Sequence, residues 1–121
     1  MSTRCQIRIE GLKPIIYRHF DGYPGSIDGS EYGVLADIHP FLVKFMAERG
    51  WDEEYMLARL TQTLGNVWPD SMFSIGIGMD LHGDIEYLYT IKKNRTIEVR
   101  SCNFWDKVIL KNSKVILTVK F

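Results

Sequence analysis

Apolar and polar residues alternate at the start of the chain. Cys5, Ile7 and Ile9 fall between Gln6, Arg8 and Glu10, and this period of two predicts a strand over Cys5–Glu10 with one face buried. Gly11-Leu12-Lys13-Pro14 then turns the chain. Ile15–Phe20 returns as a second strand of a hairpin. In it Tyr17 and His19 share one face, and Ile16, Arg18 and Phe20 share the other.

The pattern then changes. Asp21–Gly33 has no hydrophobic period and holds Gly22, Pro24, Gly25, Gly29 and Gly33, so it reads as a loop. Its length, about a dozen residues, is one at which loops are often functional. Val34, Leu35, Ile38, Phe41, Leu42, Phe45 and Met46 recur at helical spacing. Pro40 interrupts that pattern, and Asp37 is the expected cap of a helix whose first turn holds the proline. Gly50 is its expected stop. Asp52 opens a second helix, with Glu53 and Glu54 at its positive end and Met56, Leu57, Leu60 and Leu64 as its stripe. Gly65-Asn66 closes it.

Alternation resumes over Met72–Met79, where Phe73, Ile75, Ile77 and Met79 oppose Ser74, Gly76 and Gly78. A strand face this bare admits a ring, a backbone or a ligand. Asp80-Leu81-His82-Gly83 is the next turn. Asp84–Ile91 places Ile85, Tyr87, Tyr89 and Ile91 on one face and Glu86, Leu88 and Thr90 on the other. Lys92-Lys93-Asn94 reverses the chain into Arg95–Cys102. Trp105–Leu110 and Val115–Phe121 complete the series. The predicted fold is α+β, with element order ββααββββ: an antiparallel sheet of about six strands with two amphipathic helices on one face. The expected extent is one domain, residues 1–121. Part of the second sheet face is left open or covered by another subunit.

Composition narrows the class. At 45% hydrophobic and 25% charged, the chain is that of an ordinary globular protein. No apolar run approaches the roughly 20 residues that span a bilayer, and Met1-Ser2-Thr3-Arg4-Cys5 lacks the apolar core of a signal peptide. No membrane association and a cytoplasmic location are expected. Net charge is 0, with 7 basic and 10 acidic residues over 1–70 and 8 basic and 5 acidic over 71–121. That is too mild for a groove along a long nucleic acid, while the opposed halves favour self-association as a homo-oligomer. Cys5 and Cys102 have no metal-ligand spacing and read as buried reduced thiols.

Two segments concentrate the chemistry: 17–24 (YRHFDGYP) and 82–89 (HGDIEYLY). Each sets a histidine beside an aspartate, a glycine and tyrosines at a junction of strand and loop. The candidate ligand-binding residues are Tyr17, Arg18, His19, Asp21, Tyr23, His82, Asp84, Glu86, Tyr87 and Tyr89. A nucleotide site uses such types: tyrosine to stack on a base, arginine to fork onto phosphate, carboxylates to accept from ribose or a base edge. The structural alternative pairs Arg18 with Asp21 or Glu86 and makes the tyrosines half-buried sheet residues. His19 and His82 are also the natural acid and base of a phosphodiester cleavage. His82, Asp84 and Glu86 with His19 have metal-binding chemistry, but their spacing is equally that of a solvated strand face. No metal or other cofactor is assigned. His39 reads as structural, and Trp105 as an exposed contact residue.

The opening MSTRCQI and the segments YRHFDGYP and HGDIEYLY together resemble a family of small phage and prophage proteins, mostly without assigned function. Serine often stands in that family where this chain has Phe20. The resemblance implies a viral or mobile-element origin and action in the host cytoplasm. By analogy with phage sponges, the expected function is sequestration of a small nucleotide-derived defence signal. The alternatives are a nuclease or cyclic-nucleotide phosphodiesterase using His19 and His82, and a protein-binding inhibitor of a host factor using the open sheet face and Trp105.

Overall fold

The computed structural model describes residues 3–102 and 113–121. Among the described residues, six strands and two helices follow one another as β1 (Cys5–Ile9), β2 (Ile15–Arg18), α1 (Val34–Glu48), α2 (Glu53–Gly65), β3 (Ile75–Gly78), β4 (Tyr87–Lys92), β5 (Thr96–Ser101) and β6 (Lys114–Lys120). The strands form one sheet in the order β3-β2-β1-β4-β5-β6. This is the expected α+β arrangement, ββααββββ. The expected strand over Trp105–Leu110 and the contact role of Trp105 lie outside the described residues.

Both helices pack on one face of the sheet. Ile7 and Ile9 of β1, Ile16 of β2, Tyr89 and Ile91 of β4, and Ile97 and Val99 of β5 meet Val34, Ile38 and Leu42 of α1 and Met56, Leu60 and Leu64 of α2 in a single buried cluster. Full burial of each aliphatic side chain contributes about 1.5–3 kcal/mol, so this layer holds the fold together. Among the described residues, no helix is long and apolar enough to cross a membrane.

Three local features differ from the sequence reading. First, α1 begins at Val34, with Gly33 as its N-cap, and Pro40 lies inside it. The loop supplies the cap: Val34 N–H donates to the Tyr23 carbonyl and Leu35 N–H to the Pro24 carbonyl, both at 2.9 Å. With those amides satisfied, Asp37 is free for another partner. At α2 the expected Asp52 cap is present, accepting from Tyr55 N–H at 3.4 Å.

Second, β1 and β4 are parallel neighbours, whereas the other strand pairs are antiparallel. Strand β3 is antiparallel to β2, so it runs in the same direction as β1 and β4. The connection from β3 to β4 must therefore cross β2 and β1, a link that two-residue hairpins do not make. It does so on the face away from the helices. Third, Ile85 lies in this crossing segment, before β4 begins at Tyr87. It packs with Leu88, Cys102, Leu81 and Tyr17 in a second small cluster, away from Tyr89 and Ile91. The expected alternation through Ile85 is broken because the chain is not yet a strand there.

Candidate functional site

The crossing segment builds the site. Gln6 lies on the face of β1 opposite the helices and is fully buried beneath this segment. Its Nε2 donates to the Asp80 carbonyl at 3.0 Å, and its Oε1 accepts from His82 N–H at 2.8 Å. One side chain thus satisfies both ends of the turn, as burial of an amide requires. The result sets His82 over β2, where its ring stacks on Tyr17 with centroids 5.1 Å apart and planes at 30°.

His19 approaches the same tyrosine from its own strand end. The Tyr17 hydroxyl and His19 Nδ1 are 3.3 Å apart. His19 also meets Phe20 edge-on at 4.8 Å, and Phe20 meets Trp68 at 5.7 Å. These rings wrap around the end of β2. Asp84 adds a carboxylate whose Oδ1 is 3.8 Å from His82 Nδ1, and Arg4 Nη1 is 3.6 Å from Asp84 Oδ2. Both distances are too long for strong hydrogen bonds. Arg4 Nε and Asp84 Oδ1 are screened from solvent and have no hydrogen-bond partner among the described residues. Burial, with the negative charge of Asp84 behind it and Arg4 opposing, raises the Tyr17 hydroxyl above its ordinary value. The phenol therefore stays protonated at neutral pH and can donate.

Of the residues expected to form one site, the fold brings together Tyr17, His19, His82 and Asp84. It places the others elsewhere. Arg18 is completely buried on the helix face. There Nη1 donates to Asp37 Oδ2 at 2.7 Å, Nε to the Phe20 carbonyl at 2.8 Å and Nη2 to the Tyr32 hydroxyl at 3.4 Å, and the guanidinium lies 4.8 Å from the Trp68 ring centre. The Tyr32 hydroxyl is pushed up to about 12 by burial and by its bond to Asp37. The carboxylate partner of Arg18 is thus Asp37, not Asp21 or Glu86 as the sequence suggests. Tyr89 is also fully buried on the helix face, where its hydroxyl donates to the Gly22 carbonyl at 2.7 Å. Tyr87 packs against the main core. Asp21 sits in left-handed backbone at φ 52 and accepts from the Tyr23 hydroxyl at 3.2 Å, so these two shape the loop. Glu86 contributes its backbone, accepting from Cys102 N–H and donating to the Arg4 carbonyl at 2.9 Å each.

Sequence reasoning missed Arg4 and Gln6. Both share strand parity with Arg8, so the period of two assigns them to the polar face. Their proximity to Tyr17 depended on the register, in which Gln6 lies opposite Tyr17. Strand β3 completes the surroundings: Gly76 is paired with Tyr17, and a side chain at Gly78 would lie 3.7 Å from His82 Nε2. The bare glycine face thus borders the ring cluster.

Other features lie apart. A cleft of about 470 Å3 runs between α1 and α2, with Phe41, Phe45, Tyr55 and Arg59 in its walls. A second, of about 630 Å3, lies at Glu10, Trp51, Glu53 and Lys92. Neither is lined by Tyr17, His19 or His82. His39 Nε2 contacts the Lys120 carbonyl at 2.8 Å and ties α1 to β6. Cys5 and Cys102 are free and buried; burial pushes the Cys5 thiol up to about 12, with Arg18 opposing. Among the described residues, no three His, Cys, Asp or Glu side chains are grouped to hold a metal ion. No protein-family model, curated protein or solved structure matches this chain.

Proposed function

We propose that the protein binds a small anionic nucleotide-type ligand at the Tyr17 cluster and holds it without turnover. The observation that carries this reading is the stacked Tyr17–His82 pair beside a partly exposed Arg4 guanidinium, whose Nη1 stands 3.6 Å from Asp84 Oδ2. Aromatic faces accept a base. A partly exposed guanidinium donates to phosphate, and charge-assisted bonds of this kind are the strong ones. The partly exposed Asp84 carboxylate supplies an acceptor for a ribose hydroxyl or base amine. The resemblance of the three motifs to phage proteins supports a nucleotide-derived defence signal as the ligand and the host cytoplasm as the place of action.

A second reading makes the protein a nuclease or cyclic-nucleotide phosphodiesterase. It is favoured by one observation: His19 and His82 both contact the Tyr17 ring. One imidazole would take the proton from an attacking 2′-hydroxyl while the other protonates the leaving oxygen.

A recovery assay separates the two. Purified protein is incubated with cyclic oligonucleotides and ADP-ribose derivatives, washed and heat-denatured, and the released material is identified by mass spectrometry. Intact recovered ligand supports sequestration. Altered product supports the enzyme, and His19→Ala or His82→Ala must then abolish conversion. A panel with neither uptake nor conversion sinks both readings in favour of a protein partner.

A further inference from the structure

The two edges of the sheet are defended differently. At one edge, β6 carries Lys114 and Lys120 at its ends. A twofold pairing of β6 through its middle residue, Leu117, would set Lys114 opposite Lys120 of a second copy. Like charges directly opposite destabilise a strand pair, and edge lysines are a common guard against it. At the other edge, the run Ser71–Met79 contains neither charge nor proline. Its apolar side chains are open to solvent: Met72 is 84% exposed, Phe73 80%, Ile77 52% and Met79 57%.

Among the described residues, the outer backbone of this edge also has no partner strand. His19 N–H donates to the Ser74 carbonyl at 2.9 Å. Ladder alternation therefore turns Ser74, Gly76 and Gly78 towards β2 and leaves the N–H and C=O of Ile75 and Ile77 pointing outward. The strand itself is short, Ile75–Gly78, but an uncharged, proline-free edge with outward backbone groups is open to pairing with another strand.

We infer that β3 pairs antiparallel with β3 of a second copy of this chain, about a twofold axis through Gly76 and perpendicular to the sheet. That register places Ile75 opposite Ile77 of the second copy, with the exposed Phe73 and Met79 flanking the paired segment. The run offers no charged group by which a foreign partner would be selected, whereas its apolar row is complementary to itself. The chain's net charge of 0 opposes no approach of two copies. A perpendicular twofold keeps each face of the sheet on its own side. The glycine rows of both copies then lie edge to edge, and the two Tyr17 clusters stand about 14 Å apart across them, three strand spacings of ~4.8 Å. The location of a ligand over this floor rests on the proposed function; the strand pairing does not.

The test reads oligomeric state without any ligand, so it succeeds or fails independently of the recovery assay. In sedimentation at tens of micromolar, the unmodified protein is expected as a dimer, Ile77→Lys as a folded monomer, and Leu117→Lys as a dimer. Gly76→Cys places its new Cβ at an ordinary 3.9 Å from Tyr17 Cβ and directly opposite its twin, within disulfide reach. On mild oxidation it is expected to run as a covalent dimer, because both native thiols are buried. A monomeric unmodified protein, a dimer that survives Ile77→Lys, or a dimer in which Gly76→Cys stays uncrosslinked overturns the inference.

Discussion

Arg18 Nη1 and Asp37 Oδ2 meet at 2.7 Å between the sheet and α1, with the arginine side chain entirely buried. This pair joins β2, the long loop and the first turn of α1, because Tyr32 also donates to Asp37 Oδ2, at 2.9 Å. An acidic residue in a first helical turn is favoured in its own right. The arginine in the middle of the 17–24 segment is thus a structural bolt.

Removing Asp37 leaves a buried guanidinium without its counter-charge. Asp37→Ala is therefore expected to cost about 3–5 kcal/mol. Arg18→Met, which removes the charge itself, is expected to cost less. The double variant should be more stable than the sum of the singles implies, since the two side chains act as one unit. Urea denaturation of the four proteins measures this; strict additivity would show that the pair does not couple. Ligand uptake per folded Arg18→Met molecule should be unchanged.

Arg4 is the expected anchor of the ligand's charge. Its contact with Asp84 is long and partly exposed, so Arg4→Ala should change stability by less than about 1 kcal/mol. Loss of a charge-assisted bond of about 1.5–3 kcal/mol corresponds to a roughly ten- to hundredfold weaker affinity. Isothermal titration with whichever nucleotide the recovery assay retains gives the answer. Equal affinity would remove Arg4 from the site.

The loop 21–33 is held at both ends by backbone contacts that leave no spare room. Tyr89→Phe strips the Gly22 carbonyl of its buried donor and should cost about 1–3 kcal/mol. Gly33→Ala should be worse, because its Cβ would fall 2.5 Å from Gly25 N and the Tyr23 carbonyl oxygen. Thermal melts compare them. A Gly33→Ala protein as stable as the parent would show that the loop ends are not clasped in solution.

Inside that loop Asp28 sets a pH dependence. Its carboxylate accepts from Ser30 N–H at 2.9 Å and from the Ser26 hydroxyl at 2.7 Å. These bonds, led by the Ser30 amide, hold its pKa at about 2 against an ordinary 3.8. A depressed carboxyl favours the folded turn above its ordinary pKa, and that contribution is lost as pH falls through about 2. The Ser30 amide resonance should accordingly titrate near pH 2, and Asp28→Asn should abolish the titration. A midpoint at the ordinary carboxylate value would mean that the turn is open in solution.

Short-range periodicity was enough for most of the elements. The alternation of Cys5–Ile9 and Ile15–Arg18 placed Arg18 on the face opposite Tyr17 and His19, where it lies. Helical spacing located both helices, and Asp52 was recognisable as a cap because its acceptor acts only three residues away. The start of α1 was not legible: its caps are the carbonyls of Tyr23 and Pro24, which depend on how the loop folds back. Nor was the face of Ile85, because alternation cannot tell a strand from an extended segment crossing over one.

By itself, then, the sequence determined which residues alternate, which face each strand residue takes, and that His19 shares a face with Tyr17. These follow from the period of the backbone. The tertiary structure decided that β3 and β4 run the same way, and hence that the chain between them crosses the open face. That crossing, pinned by Gln6, lays His82 on Tyr17 and brings Arg4 and Asp84 beside it. Strand order is set by the packing of the whole sheet, so no local pattern could have specified which chemistry would meet.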